Sequence, residues 1–229
     1  MLKRLEIKRK RKVKARKSKL KVSFLQKRIK SKTFFWLFAF LLCLPLSGPI
    51  LAAQPAKSSP HYALTPARQY ELFQKILAFD RSWKKRNPAE LNLAILYEKD
   101  YELSCLIKDE FMEAVKERAQ IEGLPVRLTE MAVEEVSLWT QLLSLEKIFF
   151  LYIAPLRPAS QKNQLKKILA LCNEFKVATF TGETQYVDLG VAIGLGVAEQ
   201  KPQVIINLQA ARKQGLELSS QLLRMSSIK

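Results

Sequence analysis

The stretch Ile148-Phe149-Phe150-Leu151-Tyr152-Ile153-Ala154-Pro155 decides the fold. Its apolar residues follow one another without alternation and stop at a proline, so both faces of one short strand need cover. A strand of that kind belongs inside a largely parallel sheet with helices on either side.

The flanks keep a matching rhythm. Leu91, Leu93, Ile95 and Tyr97 lie in a strand-like run, and Leu103, Ile107, Phe111 and Ala114 then repeat at helical spacing. Gly123-Leu124-Pro125 is expected to stop that helix, with 126–133 as strand and 136–145 as helix. Beyond the central run, Ser160 stands as the cap of a helix whose apolar face is Leu165, Ile168, Leu169 and Cys172. Val177-Ala178-Thr179-Phe180 is the next strand. Upstream of them all, Thr65 and Pro66 open a helix bearing Leu72, Phe73, Ile76, Leu77 and Phe79, followed by a charged exit over 81–86.

Near the C-terminus the pattern changes. Segments 191–197 and 204–207 read as strands joined by so short a connection that they form an antiparallel hairpin. A helical stretch over 208–213, a stop at Gly215 and an amphipathic piece through Leu222, Leu223 and Met225 close the chain. The expected fold is one α/β domain over residues 65–229. It is a mostly parallel sheet with helices on both faces and a C-terminal antiparallel hairpin, a three-layer sandwich.

The net charge of +18 would point to nucleic acid if it were spread over the chain. Residues 1–33 hold 16 of the 39 Lys and Arg and only one acid, Glu6, which leaves 23 bases against 20 acids elsewhere. An uncharged apolar run over 34–44 follows, interrupted by Pro45, Gly48 and Pro49, with small residues at Ala52 and Ala53. A basic n-region over 1–33, a short h-region over 34–46 and a cut after Ala53 make residues 1–53 a secretory signal peptide. Residues 54–64 are a flexible tether. The expected setting is therefore outside the cytosol, with the membrane met only during export.

Rival readings of the leader are weaker. Residues 34–53 could stay as a signal anchor. A nucleic-acid arm needs no apolar run behind it, so no nucleic acid is expected as a partner. Phe40-Leu41-Leu42 ahead of Cys43 lacks the small residue of a lipidated cysteine.

Catalysis finds little support. The only histidine, His61, lies at the edge of the tether, and Cys105 and Cys172 read as small buried hydrophobes rather than a bridge. Gly190, Gly194 and Gly196 miss the G-x-G-x-x-G spacing and read as glycines permitting close backbone approach. Adjacent Glu134 and Glu135 read as solvated surface, and Glu183 and Asp188 as acids that could flank a cleft. No catalytic, metal or cofactor residue is nominated. In open α/β sheets ligands gather beyond the strands' carboxyl ends, here Glu98 and Asp100, Pro155, and Thr181, Gly182 and Glu183. These loops are the candidate contact sites, for a protein partner or, alternatively, for a small periplasmic ligand.

The last quarter carries a resemblance. Residues 203–225 hold a strand ending Ile206-Asn207-Leu208, then Ala210-Ala211-Arg212, Gly215-Leu216 and Ser219-Ser220-Gln221-Leu222-Leu223-Arg224. This resembles the C-terminal signature of the YfiR family. Lys75-Ile76-Leu77-Ala78-Phe79-Asp80-Arg81 is similar to that family's opening helix, and Leu151-Tyr152-Ile153-Ala154-Pro155 to its central strand. The resemblance implies a periplasmic, non-enzymatic α/β domain that forms a homodimer. Its expected partner is an envelope or inner-membrane signalling protein, a diguanylate cyclase or a sensor kinase. Family members can carry disulfides from four cysteines, whereas two remain here after the leader.

N-terminal sequencing of the protein from an envelope fraction should begin near Gln54. An intact first residue would instead retain the basic head in the working protein.

Overall fold

The computed structural model describes residues 64–86, 88–145 and 147–229. The basic head, the apolar run, the cut after Ala53, Cys43 and His61 lie outside the described residues. Leu64, the last residue assigned to the tether, is packed into the core.

Helix α1 (Pro66–Ala78) opens as its residues dictate. Thr65 Oγ1 accepts the Arg68 N–H at 3.4 Å, and proline occupies the first turn, where its missing N–H does no harm. The charged exit becomes a single helical turn, α2 (Ser82–Lys85). Then come β1 (Leu91–Tyr97), α3 (Glu102–Glu117), β2 (Gln120–Ile121), β3 (Leu124–Ala132), α4 (Val136–Leu145) and β4 (Phe150–Ile153). The chain continues through α5 (Gln161–Phe175), β5 (Ala178–Thr181), β6 (Ile193–Ala198), β7 (Lys201–Ile206), α6 (Leu208–Lys213), α7 (Ser220–Met225) and β8 (Ser227–Ile228).

Eight strands form one sheet in the order β2-β3-β1-β4-β5-β6-β7-β8. The central pairs, from β3 through β6, are parallel, and β6 and β7 form the antiparallel hairpin. Alternate residues of the central strands enter opposite cores. Leu93, Ile95, Phe150 and Tyr152 pack with residues of α1 and α3. Ala94, Leu96, Leu151 and Ile153 pack with Trp139 and Leu143 of α4 and with Leu165, Ile168 and Leu169 of α5. The sheet is covered on both faces, as the central run requires.

Aromatic rings join the first core. Phe73 of α1 stacks on Phe180 of β5 with ring centres 3.8 Å apart, and Phe111 of α3 stacks on Tyr152 of β4 at 4.0 Å. Such contacts add about 0.5–1.5 kcal/mol each beyond the area they bury. Tyr152 brings a hydroxyl into this apolar layer, and burial pushes its phenol up. Gln69 of α1 accepts that hydroxyl at 2.9 Å while its amide nitrogen donates to the Leu64 carbonyl at 2.8 Å. A buried polar group with both ends satisfied is the condition under which it is tolerated there.

Asp80 ties the two ends of the domain. It is fully buried, and its carboxylate accepts the N–H groups of Ser82 at 3.0 Å and Glu217 at 2.9 Å, with the Ser82 hydroxyl at 2.7 Å. The two stretches that resemble the family at opposite ends of the sequence are therefore in direct contact.

Several expectations are corrected. Ser160 occupies the cap position of α5, but its hydroxyl donates back to the Arg157 carbonyl at 3.3 Å instead of accepting from the helix. Helix α3 ends at Glu117, well before Gly123, because β2 intervenes and Glu122-Gly123 turns the chain back into β3. The strands β2 and β8, of two residues each, carry too little pattern to be read in advance. Cys172 is the buried, unpaired thiol expected, and burial pushes it up. Cys105 is also unpaired, yet only half-buried, with Sγ 3.3 Å from the Lys99 carbonyl oxygen. Gly194 and Gly196 do allow close approach: an added Cβ would lie 2.6 Å from Val187 Cγ2 or Thr184 Cγ2 in the 3-10 turn Thr184–Val187.

Gly182 is equally constrained, since a Cβ there would enter the Gln69 amide. Gly182→Ala should lower stability by about 1–3 kcal/mol in urea unfolding. The same substitution should be nearly neutral in a Gln69→Ala background, where the obstacle is gone; an equal loss in both backgrounds would contradict this packing.

Candidate functional site

The strand order places a switch point between β1 and β4. From β1 the chain crosses through α3, over the α1 side, to β3, and returns through α4 on the opposite face to β4. The crevice beyond the carboxyl ends of β1 and β4 is where open α/β sheets take their ligands.

Here side chains of the chain itself bridge the crevice. Glu98 follows β1 directly, and its side chain is only 10% exposed. Its carboxylate accepts the Arg157 backbone N–H at 2.8 Å and lies 3.3 Å from the Arg157 Nε. The same guanidinium donates to the Asp100 carbonyl, so one arginine after β4 holds two residues after β1. The Glu98 backbone N–H donates to Ser104 Oγ at 2.9 Å, fixing the first turn of α3 to the strand end. On the β3 side, the Lys99 N–H donates to Glu134 at 2.9 Å and the Lys99 ammonium pairs with Glu135. A hydrogen bond to Glu135 holds that ammonium above its usual range.

The β5 end is closed in the same manner. Thr181 Oγ1 donates to the Ile153 carbonyl at 2.8 Å and accepts the Glu183 N–H at 3.0 Å. Tyr186 accepts the Leu156 N–H at 2.8 Å, and burial pushes its phenol up. Gln69 covers Gly182. Pro155 is buried in the turn between these groups.

The six loop residues nominated from sequence thus fall at the strand ends, in two groups. Glu98 and Asp100 meet through Arg157, and Pro155 lies in the turn ahead of that arginine. Thr181, Gly182 and Glu183 form the second group, joined to β4 through Ile153. Sequence reasoning missed Arg157, Gln69 and Tyr186. Arg157 had a usable signal, a cation two residues past Pro155; Gln69, a polar residue beside Tyr70 on an apolar helix face, had a fainter one. Glu134 and Glu135, read as solvated surface, are committed to the Lys99 segment. Of the two acids read as able to flank a cleft, Glu183 accepts from Gln185 at 3.2 Å, while Asp188 pairs with Lys229 at 2.6 Å and lines a groove beside α5.

Among the described residues, no three His, Cys, Asp or Glu side chains gather as metal ligands. The chemistry at the strand ends is one of ion pairing and hydrogen bonding that locks loops together.

Glu98→Ala should destabilise the domain by about 1–3 kcal/mol, since it strands the Arg157 N–H and guanidinium. Lys116→Ala removes an exposed pair with Glu113 and should change stability by less than about 1 kcal/mol. Equal effects in urea unfolding would show that the Glu98 pair is an ordinary surface contact.

The architecture recurs in solved structures. A conserved domain protein of Vibrio cholerae matches at 16% identity and a TM-score of 0.53. The ABC domain in complex with L-Trp from Streptococcus pneumonia matches at 14% and 0.51. A ligand-free, open substrate-binding protein with adhesive properties from Clostridium difficile matches at 15% and 0.52. Each match covers 72% of this chain and 60% of the other, so the chain spans about 60% of their length. At such identities the likeness is one of fold alone. No curated protein matches the sequence. The family profile described as YfiR/HmsC-like matches residues 71–227, from the middle of α1 into β8. That span takes in the α1 end, the central strand and the C-terminal motif together, and the chain belongs to the YfiR/HmsC-like family.

Proposed function

We propose that this chain is an exported, non-enzymatic regulator that acts by protein–protein contact in the periplasm. In this reading it forms a homodimer and holds an inner-membrane signalling protein in check, as periplasmic repressors of diguanylate cyclases do. Family membership supports the regulatory class. The observation that supports the mode of action is the bridged crevice: Glu98 and Arg157 pair across the place where a fold of this kind takes a small ligand. A domain whose strand ends are tied together by its own side chains has its outer surface left to offer a partner. Among the described residues no helix is long and apolar enough to cross a membrane.

The second reading, a periplasmic small-molecule-binding protein, uses the same strand ends. It requires the Glu98 carboxylate to release the Arg157 backbone and guanidinium before a ligand enters.

Affinity purification of the full chain from its native envelope, followed by mass spectrometry, should recover an inner-membrane protein with an extracytoplasmic region and a cytoplasmic signalling domain. Sedimentation of the purified protein should give twice the mass of one chain. Recovery of a retained small molecule, with no protein captured, would replace this reading by the second.

A further inference from the structure

A groove of about 600 Å³ runs between α5 and α6. Lys162 and Lys166 stand one turn apart on its α5 wall, and Lys213 ends its α6 wall. All three are exposed, and among the described residues none of the three meets a carboxylate. This is unlike Lys84, Lys85, Lys99, Lys108 and Lys116, each of which has an acidic partner. The one acid that lines the groove, Asp188, is already held by Lys229 at 2.6 Å. Three ammonium groups are therefore left facing one depression, with the acid of its lining neutralised.

The lining is not merely cationic. Leu169 and Ala210 are buried within it, and Leu189 is 37% exposed, one of the few large apolar side chains that meets water. A bare anion would satisfy the lysines alone. A peptide brings carboxylates and an apolar side chain together, and so complements both features.

We propose that the α5–α6 groove docks an acidic segment of the partner protein, with carboxylates on Lys162, Lys166 and Lys213 and an apolar side chain against Leu189. This rests on the reading that the protein works by contact with another protein.

The test uses the full chain and a labelled peptide, Asp-Glu-Leu-Leu-Glu-Asp, in fluorescence anisotropy. Binding should saturate, weaken as salt rises, and weaken when the leucines are replaced by serine. It should fall about tenfold or more in a K162Q/K166Q/K213Q variant and stay unchanged in a K84Q/K116Q/R224Q control. Equal binding by the two variants, or none by the unaltered chain, overturns the groove. Vesicles of phosphatidylglycerol that bind through the same lysines while the peptide does not would also overturn it, in favour of an anionic membrane. If the envelope partner is captured equally by wild type and the groove variant, the groove fails while the contact reading stands. If wild type captures no partner and binds no peptide, both fail.

Discussion

Strand β4 has no face turned to water. Phe150 and Tyr152 enter one core and Leu151 and Ile153 the other, so helices are needed above and below it. At about 25 cal/mol per Å², leaving either side of such a strand bare would forfeit several kcal/mol. The two crossovers on either side of β3 supply that cover, α3 to one face and α4 to the other. The requirement then spreads outward. Tyr152 carries a hydroxyl into an apolar layer, so Gln69 must reach it; Gln69 fills the space over Gly182, so that residue has no room for a side chain. One covered strand thus dictates the layering of the domain and the form of a loop at the strands' carboxyl ends.

The same end of the sheet shows why likeness of fold is a poor guide to activity. The crevice where open α/β sheets take ligands is here bridged by a carboxylate and a guanidinium of the chain. These are partly buried, directional contacts that fix loops. The cations around α5 and α6 are the opposite kind: exposed, uncompensated and near apolar surface. A charge already satisfied inside the molecule has little left to offer a partner, whereas an unsatisfied one does.

Much of the fold could be read from the residues in order. The covered strand, the Thr65-Pro66 helix start and the hairpin before Asn207 all announce themselves within a few positions, because each depends on local spacing or a local backbone restriction. The site was less legible. Glu98 was found because it ends a strand, but its partner Arg157 lies 59 residues away, and nothing local in either residue marks the pairing. Gln69 and Tyr152 are 83 residues apart and raise the same difficulty. Ser160 and Cys105 show the limit from the other side. Each sits in a stretch whose local pattern is right, yet the chain's path past a strand end gives the hydroxyl and the thiol different neighbours from those the pattern suggests. Asp80 explains why two distant stretches can be recognised together: they touch through its carboxylate.

The order of the strands has a consequence for how the chain is made. β1 lies between β3 and β4, and both of its neighbours come later in the chain. Leu91 waits for Val126, 126 − 91 = 35 residues on, and Leu93 for Phe150, 150 − 93 = 57 residues on. A polypeptide leaves the ribosome from its N-terminus, so β1, buried along six of its seven residues in the finished domain, emerges with neither edge nor either face fully protected. Helix α1 can shield one face in the interval; the other stays bare until α4 and α5 are out. Nascent chains of this protein are thus sticky from the emergence of β1 until α5 is out, and a chaperone that keeps them unfolded over that interval would protect the whole molecule.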